Sequence, residues 1–313
     1  MRIIFMGTPE FAVPSLKAIA ANNEFKLILV VTGTDKPRRN KNAEPEPSPV
    51  KQAAISLGLP VYETDDVNSL EFAEIVAAER ADVIVVAAFR ILPSTVFEEA
   101  ALGAVNLHAS LLPAYRGAAP INWSIINGDR ETGVTTFFLQ KRVDTGNIIL
   151  QENMTIDPAE NATDLASRLS VLGACVVTDT LHLIASHQVV VSTQDEALVS
   201  KAPKLTRNNT RISWSQPVRN VNDFIRGLAT KPTAWTTFNG KTMKIFKASP
   251  GAPFSEAALL SPGTVFVDNG KLYASCSDGW LEVLSLQLEG RKLMEAAEFL
   301  RGFRHDSQQQ LFV

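Results

Sequence analysis

Three side chains of this 313-residue chain are placed to work together on a carbonyl carbon: Asn106, His108 and Asp144. Asn106 and His108 sit in an apolar run, Ala104-Val105-Asn106-Leu107-His108. On a strand, side chains two apart share a face, so this run presents an amide and an imidazole side by side. Asp144 follows a second strand-like run, Gly133 to Leu139, in a turn that closes as Asp144-Thr145-Gly146. An imidazole titrating near pH 6.5 (about the unperturbed value) takes or gives a proton at neutrality. A neighbouring carboxylate fixes its tautomer, and a carboxamide N–H can donate to an oxygen that turns negative in a tetrahedral intermediate. No serine or cysteine nucleophile pairs with these groups. The chemistry suggested is attack by a substrate's own nucleophile on a carbonyl carbon, with acid–base assistance. Against it stands a plainer reading, since a histidine in an apolar strand is more often a hydrogen-bonded structural residue.

The elements that must position these groups alternate between periods. Strands are expected at Ile3–Met6, Lys26–Thr32, Asp82–Ala88 and Ala104–His108, with amphipathic segments at Phe11–Asn22, Pro49–Leu57 and Ser69–Glu79. That succession implies an α/β domain, a Rossmann-like, mainly parallel sheet covered by helices. Ligands of such sheets bind beyond the carboxyl ends of the strands, where Asn106 and His108 fall. Gly7-Thr8-Pro9 follows the first strand, but neither Gly-x-Gly-x-x-Gly nor a Walker pattern occurs. Thr8 is instead expected to cap a helix that begins at Pro9. Leu165, Leu169, Leu172, Val176 and Leu183 recur at helical spacing between Asn161 and His187, with Asn161 or Thr163 as the cap. His182 and His187 lie five apart, which does not place them on one face as metal ligands.

Hydrophobic residues make up 45% of the chain, enough for two buried cores. No run of about 18 apolar residues or secretory leader is read, so a cytoplasmic protein that binds no membrane is expected. Cys175 and Cys276 lack metal or redox spacing and are expected to be buried and inert. No metal is expected, and nothing suggests an obligate interface, so a monomer is. Beyond a helix at Val218–Leu228, short β-like runs are separated by Asn239-Gly240, Asn269-Gly270 and Asp278-Gly279, which are hairpin signals. A small OB-like β-barrel fits, a type that commonly binds nucleic acid. Residues 206–313 hold 13 Lys and Arg against 9 Asp and Glu, whereas 1–205 hold 17 against 24, so a net charge of −3 divides into +4 and −7. The basic end offers Lys204, Arg207, Arg211, Lys241, Lys244 and Lys247 to RNA if these share a surface. Residues 33–49 form a proline-rich loop carrying Lys36, Arg38, Arg39 and Lys41. That cluster reads equally as a phosphate grip or as a solvated loop.

Asn106-Leu107-His108-Ala109-Ser110-Leu111-Leu112-Pro113, Arg116-Gly117-Ala118-Ala119-Pro120-Ile121 and Asp144-Thr145-Gly146 resemble the 10-formyltetrahydrofolate-dependent formyltransferases. The opening Met6-Gly7-Thr8-Pro9-Glu10-Phe11-Ala12 is similar to the branch of that family that formylates methionine esterified to initiator tRNA. Ala202-Pro203-Lys204-Leu205, Ile212-Ser213-Trp214 and Pro262-Gly263-Thr264 extend the likeness over nearly the whole chain. The resemblance implies catalysis by Asn106, His108 and Asp144. It also implies contact of the folate donor with Ser110, Leu111, Leu112, Pro113 and Gly117, and with Phe89 and Ile91 in a loop one residue shorter than the family's. It further implies that Lys36, Arg38, Arg39, Lys41, Lys204 and Arg207 contact the methionyl-initiator tRNA, although Glu44 and Glu46 dilute the charge of the first loop. The expected organisation is a catalytic domain over 1–189, a linker over 190–205 and an OB-like tRNA-binding domain over 206–313. Two alternatives remain: the same fold acting on an amino sugar, a purine-precursor amine or water, and a non-catalytic RNA-binding protein.

Overall fold

The computed structural model describes residues 1–37, 44–251, 261–302 and 311–313. They divide into two compact units, the first holding Met1–Pro120, Glu131–Thr155 and Ala166–Ala202. Its strands are β1 (Arg2–Gly7), β2 (Lys26–Thr32), β3 (Val61–Glu63), β4 (Val83–Ala87), β5 (Ala104–His108), β6 (Arg116–Gly117), β7 (Glu131–Phe138), β8 (Ile148–Thr155) and β9 (Lys201–Ala202). Seven build one sheet in the order β3-β2-β1-β4-β5-β7-β8, while β6 pairs with β9. The first five are parallel, and β7 and β8 run antiparallel to their neighbours. Strands β1 and β4 are apolar almost throughout because helices cover both faces. Strand β8 was not expected. Only its first residues are buried and the rest is exposed at the sheet edge, so its sequence carries little apolar alternation.

Helices α1 (Val13–Ala21), α2 (Pro49–Ser56), α3 (Leu70–Ala78) and α4 (Ser94–Phe97) follow strands of this sheet. The hydroxyls of Ser48 and Ser69 accept from the backbone N–H groups of Lys51 and Phe72 and cap α2 and α3. Thr8 does not cap α1. Its hydroxyl accepts the Gly33 N–H at 3.2 Å, tying the ends of β1 and β2 together, and a short 3-10 turn at Glu10–Ala12 precedes the helix. After α5 (Pro120–Ile126), the long α6 spans Ala162–Ala185. Asn161 caps α6, accepting from the N–H groups of Thr163 and Asp164, while Asp164 accepts the Asn161 N–H in return.

By length and composition α6 could cross a membrane, but half of its most apolar window is buried. It lies directly on the strand that carries the candidate groups. A Cβ at Gly173 would stand 2.7 Å from Leu107 of β5, and the hydroxyls of Thr180 and Thr136 on β7 bond at 2.7 Å. Cys175 is exposed on α6, contrary to expectation, because it falls on the face turned away from the sheet. Cys276 is buried, and desolvation pushes its thiol up to about 12.

The second unit comprises Ile121–Arg130, Ile156–Leu165 and Pro203–Val313. It contains α7 (Val218–Leu228), β10 (Ala234–Phe238), β11 (Lys241–Pro250), β12 (Val265–Asp268), β13 (Lys271–Ser275), β14 (Trp280–Leu288), β15 (Met294–Glu295) and α8 (Ala296–Arg301). An antiparallel sheet runs β10-β11-β14-β13-β12, with β15 added to β14. Positive φ at Asn239, Gly240, Asn269 and Gly270 makes the two Asn-Gly turns the kind that match strand twist. Residues 311–313 close the sheet on itself: Leu311 bridges to Thr264, ahead of β12, and Phe312 to Phe238 of β10.

Phe312 is 3% exposed and packs between Trp214 and Phe238, with ring centroids 5.3 and 5.4 Å away. Phe312→Ala therefore removes both a core ring and the pin of the closure. It is expected to cost about 3–5 kcal/mol of second-unit stability, read as a lower denaturant midpoint. A change below about 1 kcal/mol would show that the closing segment does not hold the sheet together.

Candidate active site

Strand β5 carries two polar side chains because its neighbours β4 and β7 and helix α6 take up its apolar ones. In the register with β7, Asn106 stands opposite Phe137 and His108 opposite Thr135. Asn106 is half-buried, and among the described residues its amide has no hydrogen-bond partner. His108 is 6% exposed, and its Nε2 lies 2.9 Å from the Tyr115 carbonyl oxygen. A carbonyl can only accept, so Nε2 carries the proton and Nδ1 is left as the working nitrogen. Beside an amide free to donate, that is a nitrogen able to take a proton or, once protonated, to give one.

Asp144 is 9% exposed and held at φ +54°, and its Oδ2 accepts the Gly117 N–H at 2.9 Å. No hydrogen bond or ion pair joins it directly to His108 among the described residues. The coupling runs instead through the 115–117 loop, whose Tyr115 carbonyl fixes the imidazole and whose Gly117 amide fixes the carboxylate. Gly117 must be glycine for two reasons. Its φ is +129°, and a Cβ there would meet the Ala202 carbonyl oxygen at 2.6 Å.

The segment 110–113 is organised from below by Thr135. Its hydroxyl donates to the Ser110 carbonyl at 2.6 Å, while the Leu112 N–H and Gln151 Nε2 donate to it at 3.1 and 2.9 Å. The Ser110 hydroxyl is spent on the Ala114 carbonyl at 2.6 Å, and Leu112 is buried against Phe137 and Ile148. Leu111 and Pro113 are only partly buried. Of the shortened loop, Phe89 packs on the core beneath the sheet and Ile91 stands 72% exposed. Arg90 pairs with Asp65, whose carboxyl is held below its usual range by the Thr34 hydroxyl first and Arg90 second.

Beside the Asp144 turn opens a cavity of about 810 Å³, lined by Phe97, Gly103, Phe138, Leu139, Lys141 and Arg142 among others. None of these residues was expected to contact the folate donor. Lys36 is exposed, its backbone paired in both directions with Glu46. Arg38, Arg39 and Lys41 lie outside the described residues. In the second unit Lys204 and Arg207 are exposed, and the guanidiniums of Arg207 and Arg211 lie 4.5 and 5.5 Å from the Trp235 ring centre. Lys244 stands opposite Trp235 in the β10–β11 register, which sets a third basic residue beside the two guanidiniums in the strand pairing.

Sequence reasoning missed Thr135, Arg116 and Gln194. Thr135 had a signal, since it lies within a recognised strand. Gln194 had none, falling in the segment Val189–Leu205, which carries no apolar period. That segment was expected to be a linker, yet residues up to Ala202 belong to the first unit and pack over the site loop. Strand β9 pairs with β6, and the Tyr115 N–H donates to the Ser200 hydroxyl at 2.8 Å. Segments 121–130 and 156–165, expected within the catalytic domain, cluster instead with the second unit.

Comparison with known proteins decides the family. The formyl transferase model matches residues 1–181, and the formyl transferase C-terminal domain model matches 204–304. The chain belongs to the formyl transferase family. It is 62% identical to the methionyl-tRNA formyltransferase of Chlorobium limicola, covering 99% of this chain and 98% of that one. With the same-named protein of Parabacteroides distasonis it shares 42% over 97% and 96%. Among solved structures, the sugar 3N-formyl transferase WlaRD superposes with a TM-score of 0.66 at 20% identity, over 93% of this chain and 99% of that one. As a formyl transferase, this enzyme must bring a formyl donor and an acceptor to one site, and the polar side chains of β5 with its flanking loops are the candidate for it.

Proposed function

We propose that this formyl transferase moves the formyl group of 10-formyltetrahydrofolate to the free α-amine of methionyl-initiator tRNA, giving N-formylmethionyl-tRNA for translation initiation. The observation that carries the chemistry is the Asn106 amide, without a hydrogen-bond partner among the described residues, beside an imidazole with one committed and one available nitrogen. The amine attacks the formyl carbon, and the oxyanion that forms is held by the Asn106 N–H and by His108 Nδ1 in its protonated form. Asp144 accepts, by way of water, the proton that the amine releases and returns it to N10 of the folate as the N10–formyl carbon bond breaks and the oxyanion collapses to the new amide, so no proton is gained or lost overall. Holding both substrates in line contributes more than the proton transfers do.

The cavity beside the Asp144 turn suits the donor. Phe97, Phe138 and Leu139 offer an apolar floor for a flat heterocycle, and Lys141 and Arg142 offer charge to a carboxylate tail. The exposed Ile91 and the loop 110–113 are further contacts in this reading. The tRNA is assigned on the identity of the relatives and on two groups of cations. One is the set Lys36, Arg38, Arg39 and Lys41; the other is Arg207 and Arg211 against Trp235, with Lys244 opposite Trp235 in the strand register, joined in this reading by Lys204. No metal enters the mechanism, and a cytoplasmic monomer remains the expectation.

Replacing Arg38 and Arg39 with serine is expected to raise KM for the charged tRNA and to shallow its salt dependence by roughly one to two phosphate contacts. KM for the donor should not move. An unchanged salt slope would return the loop to a solvated connection.

A further inference from the structure

We infer that Gln194 is a positioning residue for the transfer step, holding the Asp144 turn in register with the loop that orients His108. The inference rests on reading Asp144 as the proton acceptor. Gln194 Nε2 donates to the Asp144 carbonyl at 2.9 Å and to the Gly146 carbonyl at 2.8 Å, gripping the turn at both ends. Its Oε1 accepts from Arg116 Nε at 2.9 Å and Nη2 at 2.8 Å. Both amide hydrogens and the amide oxygen are therefore engaged, and a flipped amide would turn its NH₂ toward a guanidinium, so only one orientation serves.

Arg116 lies between the two backbone groups that hold the site: the Tyr115 carbonyl on His108 and the Gly117 N–H on Asp144. Its side chain is 10% exposed and also pairs with Glu196 at 2.9 Å, a hydrogen bond that lowers the Glu196 carboxyl below its usual range. Gln194 thus links the turn bearing the carboxylate to the loop orienting the imidazole. Such a link also holds Asp144 at its positive φ, a conformation that aspartate tolerates but does not prefer.

The chemistry of a glutamate at this position separates the inference from a purely structural role. Gln194→Glu keeps an acceptor for the Arg116 fork and strengthens it by charge. It also turns a carboxylate oxygen on the two carbonyls that the amide had served, so the turn is repelled rather than held. If Gln194 acts through Asp144, kcat falls by roughly tenfold in Gln194→Ala and roughly 10²-fold in Gln194→Glu, with KM for both substrates within about twofold of the parent. If its service is only to satisfy Arg116, Glu equals or exceeds Ala, and that order overturns the inference, as does parental kcat in either variant. Should the Glu variant fail to fold, Gln194→Ala decides alone, a loss under about fivefold counting against the inference. Asp144→Asn runs beside them. Parental turnover there removes Asp144 from the chemistry and the inference with it, whereas an inactive Asp144→Asn beside an unaffected Gln194→Ala and Gln194→Glu removes Gln194 only.

Discussion

Asn106→Ala is expected to lower kcat by about 10²–10³-fold while leaving affinity for the folate donor nearly unchanged. The amide makes no hydrogen bond to the described protein, so its removal opens no unsatisfied partner in the fold. What is lost is a donor aimed at an oxygen that becomes negative only during transfer, a loss of about 3–4 kcal/mol in the barrier. His108→Ala should cost about 10²–10⁴-fold, the usual range for losing positioned acid–base assistance. His108→Gln refines the test, since its amide can still donate to the Tyr115 carbonyl but cannot exchange a proton at neutral pH. It should fold like the parent and stay inactive. Equilibrium binding of the donor, measured with single-turnover rates, checks all three. A large loss of donor affinity with turnover intact would move both residues from chemistry to binding.

Gly146→Ala should disable the enzyme nearly as thoroughly, from a residue that has no side chain to offer a substrate. A Cβ there would sit 1.7 Å from the Phe138 carbonyl oxygen and 2.9 Å from the fully buried Phe137 ring. Its φ is not positive, so the expected effect rests on the steric clash rather than on a left-handed backbone. The β7 backbone is locked between β5 and β8, which leaves the 144–146 turn to move. Shifting the Asp144 carboxylate by about 1 Å is enough for roughly 10²-fold in kcat, and overpacking adds about 1–3 kcal/mol of destabilisation. Steady-state kinetics with a thermal melt resolve the two parts. Parental kcat in a folded Gly146→Ala would mean that the position of the turn does not matter to catalysis.

Where local pattern and global packing agree, the chain was readable. Strand β5 falls at Ala104–His108 and helix α7 at Val218–Leu228, each as its period demands, and the two Asn-Gly hairpins turn where glycine and asparagine take positive φ. The mainly parallel sheet followed from apolar runs broken by helical segments. What escaped depended on partners remote in the chain. Thr8 looks like a helix cap until β2 brings the Gly33 N–H to its hydroxyl. Gln194 reaches the Asp144 turn across 50 residues, and no period announces it. The closure by 311–313 requires contact with segments ending some 50 and 70 residues earlier, which hydrophobic pattern does not encode. Of the candidate site, residue types and spacing suggested the amide, the imidazole and the carboxylate, and the family resemblance singled them out. Fold and register supplied the rest: that His108 offers Nδ1, and that Asp144 reaches it through the 115–117 loop.

Formyl transfer from 10-formyltetrahydrofolate should be measured with methionyl-initiator tRNA as acceptor, beside uncharged tRNA, free methionine and water. N-formylmethionyl-tRNA as the only product is the predicted result. Efficient formylation of free methionine or another small amine, or release of formate alone, would contradict the account by keeping the carbonyl chemistry of Asn106 and His108 while removing the tRNA from it.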